Sequence, residues 1–216
     1  MKNYIEKDKT IIFSPDYNEI LDISLISKYN NIIFSDYKLT KNLFDCYTNK
    51  NYKNLRYDYS LFNQSVDILP CSITNLIFGV EFNKLVDNLP CSIINLTFGF
   101  TFNQKVDNLQ CLITNLTFGY KFNQPVDNLP CSIINLTFGY DFNQPVDNLP
   151  NSITNLTFGL LFNKLIDNLP NSIIYLTLSN VFNQKINNLP TELKKIICSE
   201  FYIHKNYYKN IEISTY

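Results

Sequence analysis

One segment recurs along the chain every 20 residues with few changes: FNQPVDNLPCSIINLTFGY, residues 122–140. A Phe-Asn pair opens each copy, and no residue is gained or lost between one copy and the next. The seven opening residues are Phe62, Phe82, Phe102, Phe122, Phe142, Phe162 and Phe182. Seven copies account for 140 of the 216 residues. A fixed period of this length predicts a solenoid rather than a compact globular domain.

Six apolar positions in each copy stay apolar throughout the repeats. In one copy they are Phe122, Val126, Leu129, Ile133, Leu136 and Phe138. The alternating segment Asn135–Phe138 predicts a strand with one buried face, and strands stacked about 4.8 Å apart form a parallel sheet. The Ile-x-x-Leu-x-Phe spacing matches the opening of a leucine-rich repeat, whereas Leu-Pro and Asp-Asn disfavour helix. We predict a leucine-rich-repeat-like, β-rich repeat solenoid with one parallel sheet, short strands, extended or turn-like return segments and few helices.

The flanks of the regular copies look like degenerate copies that cap the solenoid. The segments with a related pattern are Ile11–Ser14, Ile32–Ser35, Asn54–Tyr57 and Leu193–Ser199. The open ends of a stack of coils need such caps. We therefore expect degenerate repeats forming an N-terminal cap over residues 1–58, seven regular repeats over residues 59–190, and a degenerate repeat with a C-terminal cap over residues 191–216.

Composition and charge disfavour several classes of partner. The formal net charge of −1 gives no long-range field that would attract nucleic acid or an anionic membrane. Charged residues crowd the first nine positions, and uninterrupted apolar runs reach only about four residues, far below a membrane span. We expect an intracellular, cytoplasmic protein without a nucleic-acid or membrane partner, whose six Cys are free thiols.

The Phe-Asn opening, the Leu-Pro turn and the repeat length resemble the FNIP-repeat family. This leucine-rich-repeat-like family is found chiefly in amoebae and in the large DNA viruses that infect them. The resemblance implies a binding module, placed in the host cytoplasm if the chain is viral. Some members carry an amino-terminal F-box that joins them to a ubiquitin ligase, but residues 1–58 lack its Leu-Pro start, so no F-box is recognisable.

An unbroken Asn column follows the opening Phe of each copy and predicts a structural ladder. Stacked coils offer buried amides the same partners at every level, so we expect an internal ladder bonded to backbone groups of its own and adjacent coils. The ladder residues are Asn63, Asn83, Asn103, Asn123, Asn143, Asn163 and Asn183.

Two further columns raise metal-binding hypotheses. Asp recurs from Asp67 to Asp167, but the column ends in Asn187 and calcium repeats need several oxygen ligands in each coil. We therefore favour an Asx turn ahead of Leu-Pro. The cysteine column comprises Cys71, Cys91, Cys111 and Cys131. These thiols are close enough for disulfides, yet a straight row without His cannot surround zinc, and we expect no metal and no cofactor.

Two positions in each copy, just beyond the strand, vary far more than the rest. The outward sheet face beside them is small, polar and uncharged. A scaffold that repeats everything else can specify a partner where its residues differ, and aromatic residues tend to dominate interface energy. Drift at solvent-facing sites, or aromatic rings covering the sheet edge, would produce the same variation. The predicted partner-binding residues are Phe100, Thr101, Tyr120, Lys121, Tyr140, Asp141 and Leu160.

No enzymatic site is recognisable in the sequence. The single histidine, His204, has no identifiable acid, nucleophile or metal partner, and each Gly stands alone in its copy, so no phosphate-binding loop occurs. We predict a non-enzymatic scaffold that binds a partner protein, a host protein if the chain is viral, through the sheet face and the variable edge. Two alternatives stay open: a self-associating structural protein, and a substrate-recognition subunit of a ubiquitin ligase.

Overall fold

The computed structural model describes residues 3–37, 58–109 and 112–216. Its strands form one sheet in which the spatial order follows the chain order. The strands are β1 (Tyr4–Lys7), β2 (Thr10–Phe13), β3 (Asn31–Phe34), β4 (Asn75–Ile77), β5 (Asn95–Thr97), β6 (Asn115–Thr117), β7 (Asn135–Thr137), β8 (Asn155–Thr157), β9 (Tyr175–Thr177), β10 (Lys195–Cys198) and β11 (Glu212–Thr215). Each of the strands β4 to β9 is three residues long, because turns follow closely on both sides.

The described strands from β2 to β11 pair in parallel, as the repeat predicts. Equivalent residues of neighbouring copies lie opposite each other, as Asn115 lies opposite Asn135. The exception is β1, which runs antiparallel to β2. The connecting turn contains Asp8, whose φ of 52° lies in the left-handed region that a short polar side chain tolerates.

Helical structure in the described chain is confined to single turns. Helix α1 (Ile23–Ile26) begins after Asp22, whose Oδ1 accepts a hydrogen bond of 2.8 Å from the Ser24 N–H. A single 3-10 turn spans Lys205–Tyr207. The remaining return segments are extended or turns, as predicted. No helix among the described residues has the length and apolarity needed to cross a membrane.

The six apolar positions of each regular copy form one continuous core. In the copy that begins at Phe122, these side chains are between 0% and 7% exposed. Two Phe columns interleave along the solenoid, so that the rings of Phe118 and Phe122 stack with centroids 3.7 Å apart. Near the C-terminal end, Leu178 and Cys198 occupy the positions that correspond to Phe118 in their copies and continue that column.

The coils spread apart on the side away from the sheet. Neighbouring strands of a sheet lie about 4.8 Å apart, whereas the equivalent rings of Phe102 and Phe122 lie 6.1 Å apart. The rings of Phe118 and Phe138, nearer the sheet, lie 5.7 Å apart. The sheet is therefore the inner side of a curved solenoid, and the return segments form its wider outer side.

The N-terminal flank joins the regular sheet directly. Two of the predicted degenerate coils supply β2 and β3, which pair with each other in parallel. The third, predicted at residues 54–57, lies outside the described residues, and β3 pairs with β4. The hairpin strand β1 was not predicted, because it stands outside the repeat pattern.

Two buried tyrosines close the core at the C-terminal end of the regular coils. The Tyr208 hydroxyl accepts a hydrogen bond of 2.9 Å from the Ile186 N–H and lies 2.9 Å from the Tyr202 hydroxyl. Tyr202 in turn donates to the Gln184 carbonyl at 2.8 Å. Burial and, after it, the hydrogen bond with Tyr208 raise the pKa of Tyr202. The last described strand, β11, was not predicted.

Candidate partner-binding surface

The variable edge consists of the two variable residues that follow the glycine in each copy, such as Tyr120 and Lys121. Close contact between the glycines of neighbouring coils fixes the position of this edge. A Cβ at Gly119 would lie 1.8 Å from the carbonyl oxygen of Gly99, so the backbones meet where a side chain has no room. Just beyond this contact, the Lys121 N–H donates to the Phe100 carbonyl at 2.9 Å. The next coil repeats the bond, from the Asp141 N–H to the Tyr120 carbonyl at 2.8 Å. The variable residues therefore project from a rigid, hydrogen-bonded edge.

Three predicted binding residues stack into an aromatic strip, formed by Phe100, Tyr120 and Tyr140. The ring centroids of Phe100 and Tyr120 are 4.5 Å apart, and those of Tyr120 and Tyr140 are 4.3 Å apart. Phe100 is 40% exposed and Tyr120 is 37% exposed. Desolvation, followed by the charge and hydrogen bonding of Tyr140, raises the pKa of Tyr120. Tyr120 stacks against Phe100 on one face and against Tyr140 on the other, whereas the two outer rings of the strip each stack against Tyr120 on one face.

The other predicted residues lie beside the strip in different environments. Lys121 is exposed, with its Nζ 5.8 Å from the centroid of the Phe100 ring, within cation–π range. Thr101 is half-buried because its hydroxyl donates to the Val80 carbonyl at 2.6 Å. Asp141 and Leu160 are also half-buried. Lys121 is thus the most accessible of these side chains.

An apolar extension of the variable edge was missing from the predicted set. Leu161, Val181 and Phe201 occupy the same position in successive coils and are 41%, 44% and 80% exposed. The 20-residue spacing from Val181 to Phe201 places both residues in one column of the repeat. Phe201 was nevertheless not predicted, because it lies in the degenerate flank, where the repeat pattern is weak. The candidate surface therefore continues past Leu160 towards the C-terminal end.

The predicted Asn ladder is present, with one correction to its burial. The Asn123 N–H donates to Asn103 Oδ1 at 2.9 Å, and the same side chain-to-backbone bond recurs in the other coils. The prediction of an internal ladder was wrong, because these side chains are half-exposed or, at Asn183, exposed. The ladder runs along the spreading outer side, where an Asn side chain bridges the wider gap between backbones. It also extends to Asn18, whose Oδ1 accepts from the Asn63 N–H at 2.9 Å.

A second Asn ladder, not foreseen from the sequence, crosses the outward face of the sheet. Asn115 Nδ2 donates to Asn95 Oδ1 at 2.6 Å, and Asn135 Nδ2 donates to Asn115 Oδ1 at 2.5 Å. The Asn preceding each Leu-Thr pair was the available signal. Because each amide bonds to the next, these Asn side chains form an uncharged, hydrogen-bonded row on this face.

The Asp column forms hydrogen bonds between coils and not the expected Asx turn. Asn128 Nδ2 donates to Asp107 Oδ1 at 3.3 Å, and Asn148 Nδ2 donates to Asp127 Oδ1 at 3.1 Å. The column ends in Asn187. Its side chain and backbone N–H groups donate hydrogen bonds to Asp167, and these bonds lower the pKa of that carboxyl.

The metal-ligating side chains of the described residues do not cluster into a metal-binding site. Within residues 3–37, 58–109 and 112–216, no group of three or more His, Cys, Asp or Glu side chains could hold a metal ion. Cys71, Cys91 and Cys131 are exposed free thiols, while Cys111 of the same column lies outside the described residues.

The parallel sheet, the short coils and the inter-coil ladders define the class of protein as a leucine-rich-repeat-like solenoid. The FNIP repeat family model matches residues 62–100 and 125–161. The coils within these two stretches match FNIP repeats, which confirms the resemblance found in the sequence.

One solved structure extends the comparison to nearly the whole chain. It is the crystal structure of CroV588, described as a novel circular LRR protein, and it is 32% identical with a TM-score of 0.70 over 93% of this chain. The aligned region covers 32% of that protein, so this chain spans about a third of its length. The comparison with curated proteins returned no match.

Proposed function

We propose that the chain is a non-enzymatic scaffold that binds a partner protein through the variable edge of its solenoid. The observation that carries this proposal is the aromatic strip, which places three stacked, partly exposed rings beside an otherwise polar sheet face. Aromatic residues held on a rigid element contribute strongly to protein interfaces, since they lose little conformational entropy on binding. The leucine-rich-repeat-like fold supports the same role.

An intracellular site of action is part of this proposal. The exposed thiols of Cys71, Cys91 and Cys131 support it, because such thiols persist in reducing compartments. No contact in the described chain favours a ubiquitin ligase component over any other protein partner.

Affinity purification of the whole chain with quantitative mass spectrometry tests the proposal. Replacing Tyr120 and Tyr140 by Ala together should lower partner capture by roughly tenfold or more, because two interface rings are lost. The fold should be retained, since both rings lie outside the core.

Tyr207→Ala provides the matched control. Tyr207 is 65% exposed and lies in the 3-10 turn Lys205–Tyr207, outside both the sheet face and the strip, so its loss should leave partner capture unchanged. The proposal is wrong if the double variant captures the same proteins in the same amounts as the unmodified chain, or if Tyr207→Ala has the same effect.

A further inference from the structure

A shallow groove runs across several coils beside the aromatic strip. One wall is the Asn ladder and the other is the second variable column, which continues from the strip through Lys121. Its lining residues are Asn83, Thr101, Asn103, Lys121, Asn123, Asp141 and Leu161. The groove thus combines one wall that is identical in every coil with one wall that differs in every coil.

The constant wall presents hydrogen-bond donors that the fold itself does not use. Asn103 Oδ1 accepts from the Asn123 N–H at 2.9 Å and from Gln124 Nε2 at 3.2 Å, so its acceptor is occupied. By contrast, no residue of the described ranges accepts a hydrogen bond from Nδ2 of Asn83, Asn103 or Asn123. A half-exposed row of amide donors can bind a ligand that has regularly spaced acceptors.

The distance between successive donors indicates which peptide conformation has carbonyls at a matching spacing. Equivalent rings next to the ladder repeat every 6.1 Å, as between Phe82 and Phe102. Carbonyls along one edge of an extended peptide recur every two residues, about 6.7 Å, which is close to this repeat. A helical ligand fits poorly because its carbonyls bond within the helix, and a polyproline helix repeats only about every 9.3 Å.

The variable wall adds a charge pattern along the same direction. Successive coils present a cation at Lys121, a carboxylate at Asp141 and an apolar side chain at Leu161. A ligand that advances two residues per coil would place an acidic, a basic and an apolar residue against these side chains in turn.

We propose that this groove binds an extended peptide segment of a partner protein, whose backbone carbonyls accept hydrogen bonds from Nδ2 of Asn83, Asn103 and Asn123. The segment carries an acidic, a basic and an apolar residue at two-residue intervals, facing Lys121, Asp141 and Leu161. This inference rests on the proposed scaffold function and assigns it a second contact surface next to the strip.

Selection from a displayed library of random, unconstrained 12-residue peptides tests the proposal on the whole chain. The enriched peptides should share the acidic, basic and apolar residues at alternate positions. The same selection on a Lys121→Glu/Asp141→Lys variant should enrich peptides with the two charges exchanged. No enrichment on the unmodified chain, or a consensus that ignores the charge exchange, would overturn the proposal.

Asn103→Asp tests the donor wall with little change in shape. The substitution keeps the Oδ1 acceptor that supports the next coil but replaces the Nδ2 donor, so the affinity for an enriched peptide should fall at least about fivefold. Asn183→Asp makes the same chemical change outside the groove and should leave the affinity unaltered. Equal losses in both variants would contradict a specific role for the groove.

The two proposals fail in different ways. If Tyr120→Ala/Tyr140→Ala removes partner capture while Asn103→Asp changes neither capture nor peptide affinity, the scaffold function holds and the groove proposal is wrong. Enriched oligosaccharide binding on a glycan array, without any peptide enrichment, would likewise reject a peptide ligand.

Discussion

Glycine two residues beyond the end of each strand from β4 to β8 lies where neighbouring backbones approach closely. At Gly119 and Gly139, an added Cβ would lie 1.8 Å from the carbonyl oxygen of the preceding glycine. Neither residue has a positive φ, so the requirement is one of space and not of backbone conformation. This contact holds the variable edge together.

Gly119→Ala should destabilise the fold by about 1–3 kcal/mol, because the methyl group forces two backbones apart. Urea unfolding followed by circular dichroism measures the change. Thr117→Ala is the control, since Thr117 is half-exposed on the same strand and its truncation should cost much less. Equal stability of Gly119→Ala and the unmodified chain would show that the coils can separate there at no cost.

Asp36 supports the junction between the N-terminal flank and the regular coils. Its Oδ1 accepts hydrogen bonds from the Ser60 N–H at 3.0 Å and the Val80 N–H at 2.8 Å. Burial nevertheless raises the pKa of Asp36 above its usual value, and the charge of Glu81 adds to the effect. The folded state therefore holds this proton more tightly than the unfolded state does.

Stability contributed by Asp36 should fall as the pH rises from about 3.8 through the raised pKa, and stay constant above it. Asp36→Asn keeps the Oδ1 acceptor without the buried charge, so it should be more stable than the unmodified chain at pH 7 but equal to it below pH of about 3. Urea unfolding at both pH values measures this difference.

Asp36→Ala is the companion variant. It leaves two N–H groups without their acceptor and should lose about 1–3 kcal/mol at either pH. A pH-independent gain for Asp36→Asn would mean that the carboxyl is not the titrating group.

The stacked Phe columns are the main stabilising element of the core. Phe122→Ala should cost about 3–5 kcal/mol, since the ring is 0% exposed and stacks 3.7 Å from Phe118. Phe100→Ala removes the same side chain from the exposed strip and should cost less than about 1 kcal/mol. Denaturant unfolding of both variants separates the two roles, and similar losses would contradict the assignment of Phe100 to a binding surface.

The sequence was sufficient to predict the elements that obey the 20-residue period. Each of the core positions represented by Val126 and Ile133 needs only apolar character, which a single sequence displays directly. Asn18 escaped detection because 45 residues separate it from Asn63, its hydrogen-bond partner, and the period is broken there. β1 and β11 follow no repeat, so their pairing depends on contacts that only the folded chain brings together.

The candidate site was predictable in part for a similar reason. Variation at Tyr120 and Tyr140 against a constant background indicated the strip, and their stacking follows from coil spacing. The direction of each Asn side chain and the unused Nδ2 donors do not follow from the sequence, because Asn103 could equally have bonded within its own coil. The burial of the Asn ladder was overestimated, because the coils spread apart on their outer side. That spread is a property of the whole stack and cannot be read from one copy.

The whole molecule should open from its ends, because each coil contacts only its neighbours. The Phe138 N–H donates to the Thr157 carbonyl in the middle of the stack, and the Glu212 N–H, in β11, donates to the Lys194 carbonyl. Hydrogen exchange should therefore be slower at Phe138 than at Glu212. We expect a difference of roughly a hundredfold. Equal protection at both sites would indicate all-or-none unfolding.

The fixed offset of the ladder bonds has a consequence for how the gene can evolve. The bond from Asn123 to Asn103 spans 20 residues, and that from Asn128 to Asp107 spans 21. Unequal crossing-over that adds or removes one whole copy recreates these bonds across the new junction. Each event also inserts or deletes one pair of variable residues and changes the length of the edge by about one coil spacing. Recombination between near-identical copies can thus alter the recognition surface in single steps while preserving the folded framework.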